Sequence, residues 1–159
     1  MFDVPFSKPE LLPIQWGVVI GASLVAALTD VHRRQIPNLL TFPLLACGLL
    51  TSFALRGPIG LADGLAACVI LALPYVYLFV FANGGAGDAK LMAALGAWLG
   101  VFNGLVVLAS VALAGVVLAI GWTLIHRRKP VSIPAMPYGV AISIGVCCAA
   151  TGLWLMRLS

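Results

Sequence analysis

A succession of apolar runs, about 14–29, 39–55, 65–82, 91–102, 105–125 and 138–156, separated by short polar breaks, limits this chain more than any other feature. Of its 159 residues 62% are hydrophobic and only 9% charged, against roughly 25% charged in soluble domains, so no stretch remains for a soluble core. Runs of this kind cross a bilayer, where every backbone N–H and C=O must be satisfied inside the protein, which favours helices. The sequence therefore predicts an all-α polytopic membrane protein of about six transmembrane helices, one integral-membrane domain over residues 1–159. Any chemistry must lie in or beside the bilayer. The leading segment 1–13, with Lys8, Asp3 and Glu10 among prolines, lacks the basic start of a signal peptide and is expected to be retained.

The breaks between runs carry their own signals. Pro37 restricts Ile36 to an extended conformation, so residues 35–38 read as a turn feeding the second helix. Arg56-Gly57-Pro58 marks a turn at the opposite end, Asp63 lies just outside the third run, and Pro74 is expected to kink that run. Asn103-Gly104 reads as the turn between the fourth and fifth runs. Counted from Asp88, the fourth run covers only about 20–25 Å, short of the roughly 30 Å hydrocarbon core. It is therefore either re-entrant or starts below the membrane surface. Charge decides for six spans: Arg33, Arg34, Lys90, Arg127, Arg128 and Lys129 then share one face, with Lys8, Arg56 and Arg157 on the other. That bias puts the larger group in the cytoplasm and both termini outside.

The net charge of +4 comes from these topology signals rather than from a basic face, so nucleic acid is not an expected partner. Cys47, Cys68, Cys147 and Cys148 all fall inside apolar runs with no C-x-x-C pair and no histidine at ligand spacing, as packing residues would. No metal and no cofactor is expected. His32 and His126, beside arginines at run ends, read as interfacial, and Trp16, Trp98, Trp122, Trp154 and Tyr138 as an aromatic belt.

Chemistry concentrates in Asn83-Gly84-Gly85-Ala86-Gly87-Asp88-Ala89-Lys90, where glycines, a carboxylate and a lysine lie between two apolar runs. An ionisable group that close to hydrocarbon is costly, and glycines let backbone or substrate approach closely. Asp88 could instead simply N-cap a helix beginning at Ala89. Of the 5 acidic residues, Asp3, Glu10 and Asp63 fall in outer segments, leaving Asp30 and Asp88 together on the inner face. Two carboxylates in one poorly solvated site cannot both ionise easily, so one keeps a proton while the other can take one from water. That is the chemistry of an aspartyl protease. The plainer alternative pairs Asp30 with Arg33 or Arg34 and Asp88 with Lys90. Helix-end polarity disfavours a carboxylate at Asp30 and favours one at Asp88, but the adjacent bases blur that ordering, and which aspartate holds the shared proton stays open.

Thr29-Asp30 with Ile36-Pro37-Asn38, then Gly85-Ala86-Gly87-Asp88-Ala89-Lys90-Leu91, then Ile133-Pro134 with Pro137-Tyr138, taken together over about residues 20–145, resemble the type IV prepilin peptidase family. The resemblance implies a GxGD-type aspartyl protease architecture in the cytoplasmic (inner) membrane. It also implies an aspartic endopeptidase that removes the short basic leader of prepilin or pseudopilin substrates on the cytoplasmic side during pilus assembly. Asp30 and Asp88 match its catalytic pair and Gly85 and Gly87 its motif glycines, with Lys90, Pro37, Asn38, Pro134 and Pro137 as motif support or substrate approach. Larger members carry a cysteine-paired zinc domain associated with N-methylation, which nothing in these residues could build, so methyl transfer is not expected. The resemblance is to the short branch serving tight-adherence pili. The rival class is a small proton-coupled carrier or non-catalytic membrane subunit using the same aspartates. Carriers place such groups near the midplane on broken helices, whereas these aspartates lie at run ends. The oligomeric state and the particular prepilin cannot be read from the sequence.

Overall fold

The computed structural model describes residues 12–33, 36–82, 85–126 and 138–158, all of them helical apart from short connections. The chain forms α1 (Leu12–Arg33), α2 (Asn38–Ala82), α3 (Ala86–His126) and α4 (Tyr138–Leu158). All four are long and apolar enough to cross a membrane. Many large side chains on their outer faces, among them Leu39, Leu113 and Phe81, are exposed, as lipid-facing residues are.

Two of the four helices are broken by a glycine in a conformation closed to other residues. Gly57 has φ 63 and ψ −151 inside α2, and Gly100 has φ 71 and ψ −179 inside α3. A side chain would clash in this region, so it is essentially reserved for glycine. At Gly57 the chain doubles back. A Cβ on Gly64 would stand 3.3 Å from the Leu49 side chain. In an unbroken helix these two residues would be about 22 Å apart. At Gly100 the same reversal shows in the partners along α3: Gly96 backs onto Ala67, Gly100 onto Asp63 and Gly104 onto Leu71. The partner number falls and then rises, as it must when a chain turns. Consecutive arms among 38–56, 58–82, 86–99 and 101–126 therefore run antiparallel to one another.

A helix break in an apolar setting frees backbone groups that no water can satisfy. Here side chains meet them. The Val101 N–H donates to Asp63 Oδ1 at 3.1 Å, while Asp63 Oδ2 accepts from Arg56 Nη1 at 2.8 Å, so one carboxylate pins both turns together. At the end of arm 86–99, Ser52 Oγ donates to the Ala97 carbonyl at 2.8 Å and Asn103 Nδ2 to the Leu99 carbonyl at 3.3 Å. Trp98 Nε1 donates to the Leu44 carbonyl at 2.8 Å. The first arm of α3 is thus the centre of the molecule, with Leu91, Met92, Ala94, Leu95 and Ala97 all fully buried. It is only about 21 Å long, less than the roughly 30 Å hydrocarbon core.

Three expectations change. The turn lies at Gly100, and Asn103 and Gly104 are inside the helix, because only Gly100 adopts the positive φ that a reversal requires. The third run begins at Pro58 rather than near 65, which places Asp63 within a helix, where it can reach both breaks. Trp98 is a core residue, 9% exposed and hydrogen-bonded, rather than part of a belt. Pro74 lies within the second arm of α2. Trp154 is exposed, whereas the His126 side chain lies outside the described residues.

The contact at Gly96 gives a test of this packing. A Cβ there would stand 2.8 Å from the backbone of Ala67, which has nowhere to go, whereas one on Gly17 meets nothing within 4 Å. Gly96→Ala is expected to cost about 1–3 kcal/mol and lower the melting temperature of the detergent-purified protein. Gly17→Ala should leave it unchanged or raise it slightly, since alanine is the better helix former. Equal shifts in the two variants would contradict the close approach of the α2 and α3 arms.

Candidate active site

The site forms where α1 ends and α3 begins. Asp30 lies in the last turn of α1 and is half-buried. Ile36 and Pro37 lie outside the helices, and the Pro37 carbonyl accepts from the N–H groups of Leu40 at 3.0 Å and Thr41 at 3.4 Å to start α2. A proline suits the start of a helix, where its missing N–H has no partner to lose. Asp88 is the third residue of α3, and its N–H donates to the Gly85 carbonyl at 3.2 Å. Gly85 therefore occupies the cap position and Asp88 stands inside the first turn, so Asp88 does not serve as the N-cap of a helix starting at Ala89. It is 9% exposed, an unusual degree of burial for a carboxylate.

The motif glycines are explained by what a side chain would strike. A Cβ on Gly85 would stand 3.0 Å from Asp88 Oδ2, and one on Gly87 would stand 3.0 Å from Ile36 Cβ. Gly85 leaves room at the carboxylate, and Gly87 lets the start of α3 press against the Ile36-Pro37 connection. Lys90 Nζ donates to Asn38 Oδ1 at 2.9 Å and lies 5.8 Å above the Phe42 ring, which ties the first turn of α3 to the first turn of α2. The result is a cavity of about 740 Å³ lined by Thr29, Asp30, Arg33, the 36–38 connection, residues 85–87, Asp88 and Lys90.

Of the residues singled out from the sequence, the structure brings Asp30, Asp88, Gly85, Gly87, Lys90, Pro37 and Asn38 to this one cavity. Pro134 and Pro137 lie outside the described residues, as do Arg34, Asn83 and Gly84. Among the described residues, no ion pair holds Asp30 or Asp88. The one formed is Arg56–Asp63 at the opposite end, and Lys90 turns to Asn38 instead of Asp88. No group of three or more His, Cys, Asp or Glu that could hold a metal ion occurs among them either.

One contact was missed. The N–H of Gly139, the second residue of α4, donates to Asp30 Oδ2 at 2.8 Å across 109 positions of sequence. Asp30 therefore meets the N-terminal end of α4 much as Asp88 meets that of α3, and helix-end polarity does not separate the two carboxylates. The available signal was Gly139 directly after the Pro137-Tyr138 pair, at the start of a run whose first N–H groups need acceptors.

Comparison with known proteins identifies relatives of this chain. Residues 17–120 match the model of the type IV leader peptidase family. The chain is 37% identical over 138 residues to the prepilin leader peptidase/N-methyltransferase of Aeromonas salmonicida, covering 77% of this chain and 46% of that protein. The enzyme of the same name from Pectobacterium carotovorum is 37% identical over 142 residues, covering 82% and 49%. That from Stutzerimonas stutzeri is 35% identical over 153 residues, covering 90% and 49%. The chain thus spans about half the length of the curated relatives it matches. No solved structure matches it. The match covers both aspartates and the cavity between them, and the chain belongs to the type IV leader peptidase family.

Proposed function

We propose that this protein is a membrane aspartic endopeptidase that cleaves the short basic leader from prepilin or pseudopilin substrates at the cytoplasmic face of the inner membrane. The observation that carries the proposal is the meeting of Asp30 and Asp88, from helices far apart in sequence, on one cavity where Gly85 leaves space beside Asp88. Family membership, and relatives named for prepilin leader processing, supply the substrate class.

In this reading a water molecule enters between the carboxylates. The ionised one accepts a proton from that water as it attacks the scissile carbonyl, and the protonated one hydrogen-bonds the carbonyl oxygen and stabilises the charge that develops on it. The proton then passes to the leaving amine, which restores the pair with one proton shared between them. The two groups titrate as a unit, so neither role is tied to one residue.

The topology follows from the six arms. With α1, the four arms of α2 and α3, and α4 all crossing, the cavity, Arg33, Arg34, Lys90 and the basic residues 127–129 fall on the cytoplasmic side, and both termini fall outside. Reporter fusions after Arg34, Lys90 and Lys129 should then report cytoplasm, and fusions at Arg56 and Asn103 the opposite side. An external signal at Lys129 would contradict the six crossings.

The chemistry is tested by neutralising each carboxylate at constant shape. Asp30→Asn and Asp88→Asn should each accumulate in the membrane as the parent does, yet lower the cleavage rate of a co-expressed prepilin at least about 100-fold, the scale of a lost acid–base group. The measurement is the mobility shift of the prepilin on removal of its leader. Normal processing by either variant would rule out the dyad.

A further inference from the structure

The mechanism leaves unexplained how a carboxylate on the last turn of α1 is kept in a fixed orientation, since among the described residues no cation pairs with it. We propose that Gly139 is the positioning residue of the dyad: its backbone N–H engages Asp30 Oδ2 and so presents Oδ1 to water and substrate. This inference rests on the peptidase reading above and adds a third residue to it. Three observations carry it. The hydrogen bond is 2.8 Å long and joins the first turn of α4 to the last turn of α1. An amide in the first turn of a helix has no partner within that helix, so it is free to hold a carboxylate continuously. The position also has no room for a side chain, since a Cβ on Gly139 would stand 3.0 Å from both Asp30 Cβ and Asp30 Oδ2.

The start of α4 is itself held firmly enough to act as a reference. One turn further on, Ser143 Oγ donates to the Ser23 carbonyl of α1 and also approaches the Gly139 carbonyl at 3.2 Å. Tyr138, next to Gly139, sets its hydroxyl end against Gly115 of α3 and its ring edge-on to Tyr75 of α2, with centroids 6.0 Å apart. The amide of Gly139 is therefore fixed relative to α1, α2 and α3 at once. Asp88 differs in that its backbone N–H is bonded within its own first turn, to the Gly85 carbonyl.

Two substitutions separate the amide from the missing side chain. Gly139→Ala keeps the N–H and adds a Cβ, whereas Gly139→Pro adds carbon and also removes the N–H, at a first-turn position that tolerates proline. Both are to be measured in lipid vesicles with a purified prepilin as substrate, beside Asp30→Asn and Asp88→Asn. The expected result is a kcat about tenfold lower for Gly139→Ala and about 100-fold lower or more for Gly139→Pro, with KM within about twofold, as for misplaced rather than missing chemistry. A proline variant no slower than the alanine variant, or a loss that falls in KM, would overturn the inference. Should the proline variant not accumulate, Gly139→Ala decides alone, and a kcat like that of the parent would overturn it. Inactive aspartate variants beside a fully active Gly139→Pro would overturn this inference and spare the dyad, while an active Asp30→Asn would overturn both.

Discussion

A helix interrupted in an apolar medium exposes carbonyls and N–H groups that cost about 1–3 kcal/mol each if left unmet. This chain interrupts two helices, at Gly57 and Gly100, and the rest of the structure is arranged around meeting that cost. Asp63 takes the Val101 N–H while holding Arg56, and Ser52 and Asn103 take carbonyls at the end of the buried arm 86–99. Trp98 fastens the same arm to the Leu44 carbonyl. Every one of these contacts lies away from the cavity. Together they hold a short central arm in place, with its first turn beside that of α2.

That arm carries a carboxylate into the protein. Asp88 stands in its first turn, where Gly85 leaves room for the carboxylate and Gly87 lets the turn lie against Ile36. Asp30 arrives from α1, and α4 supplies the amide that fixes it. Because α1 is joined to the other helices mainly through α4, the placement of Asp30 depends on that contact and on the Ser143–Ser23 bond below it. A chain with so few charged residues thus spends its polar atoms in two groups, one that closes the helix breaks and one that lines the cavity.

How much of this could be read beforehand follows from which signals are local. The apolar runs, the Pro37 turn and the Gly57 break are written in adjacent residues, and so were legible. The pairing of Asp30 with Asp88 was legible because acidic residues are so scarce that few combinations remain. The turn at Gly100 was not, because Asn103-Gly104 carries the stronger local turn signal, and only the tertiary position of Asp63 favours the earlier glycine. Trp98 misled for a similar reason: its place near a run end resembles that of a belt residue, but the end is buried by the reversal. Gly139 could not be found from side-chain chemistry, since it acts through its backbone.

The central claim is that Asp30 and Asp88 face one another across a single cavity within one chain. Its most direct test replaces Cys47, Cys68, Cys147 and Cys148 by serine, introduces Asp30→Cys with Asp88→Cys, and treats isolated membranes with a short bifunctional thiol reagent, followed by cleavage of the chain between the two positions. The account predicts that the fragments stay joined in the doubly substituted chain, and separate when either cysteine is absent or when the reagent is added after denaturation. Fragments that separate in the folded protein although both thiols can be labelled singly would contradict it.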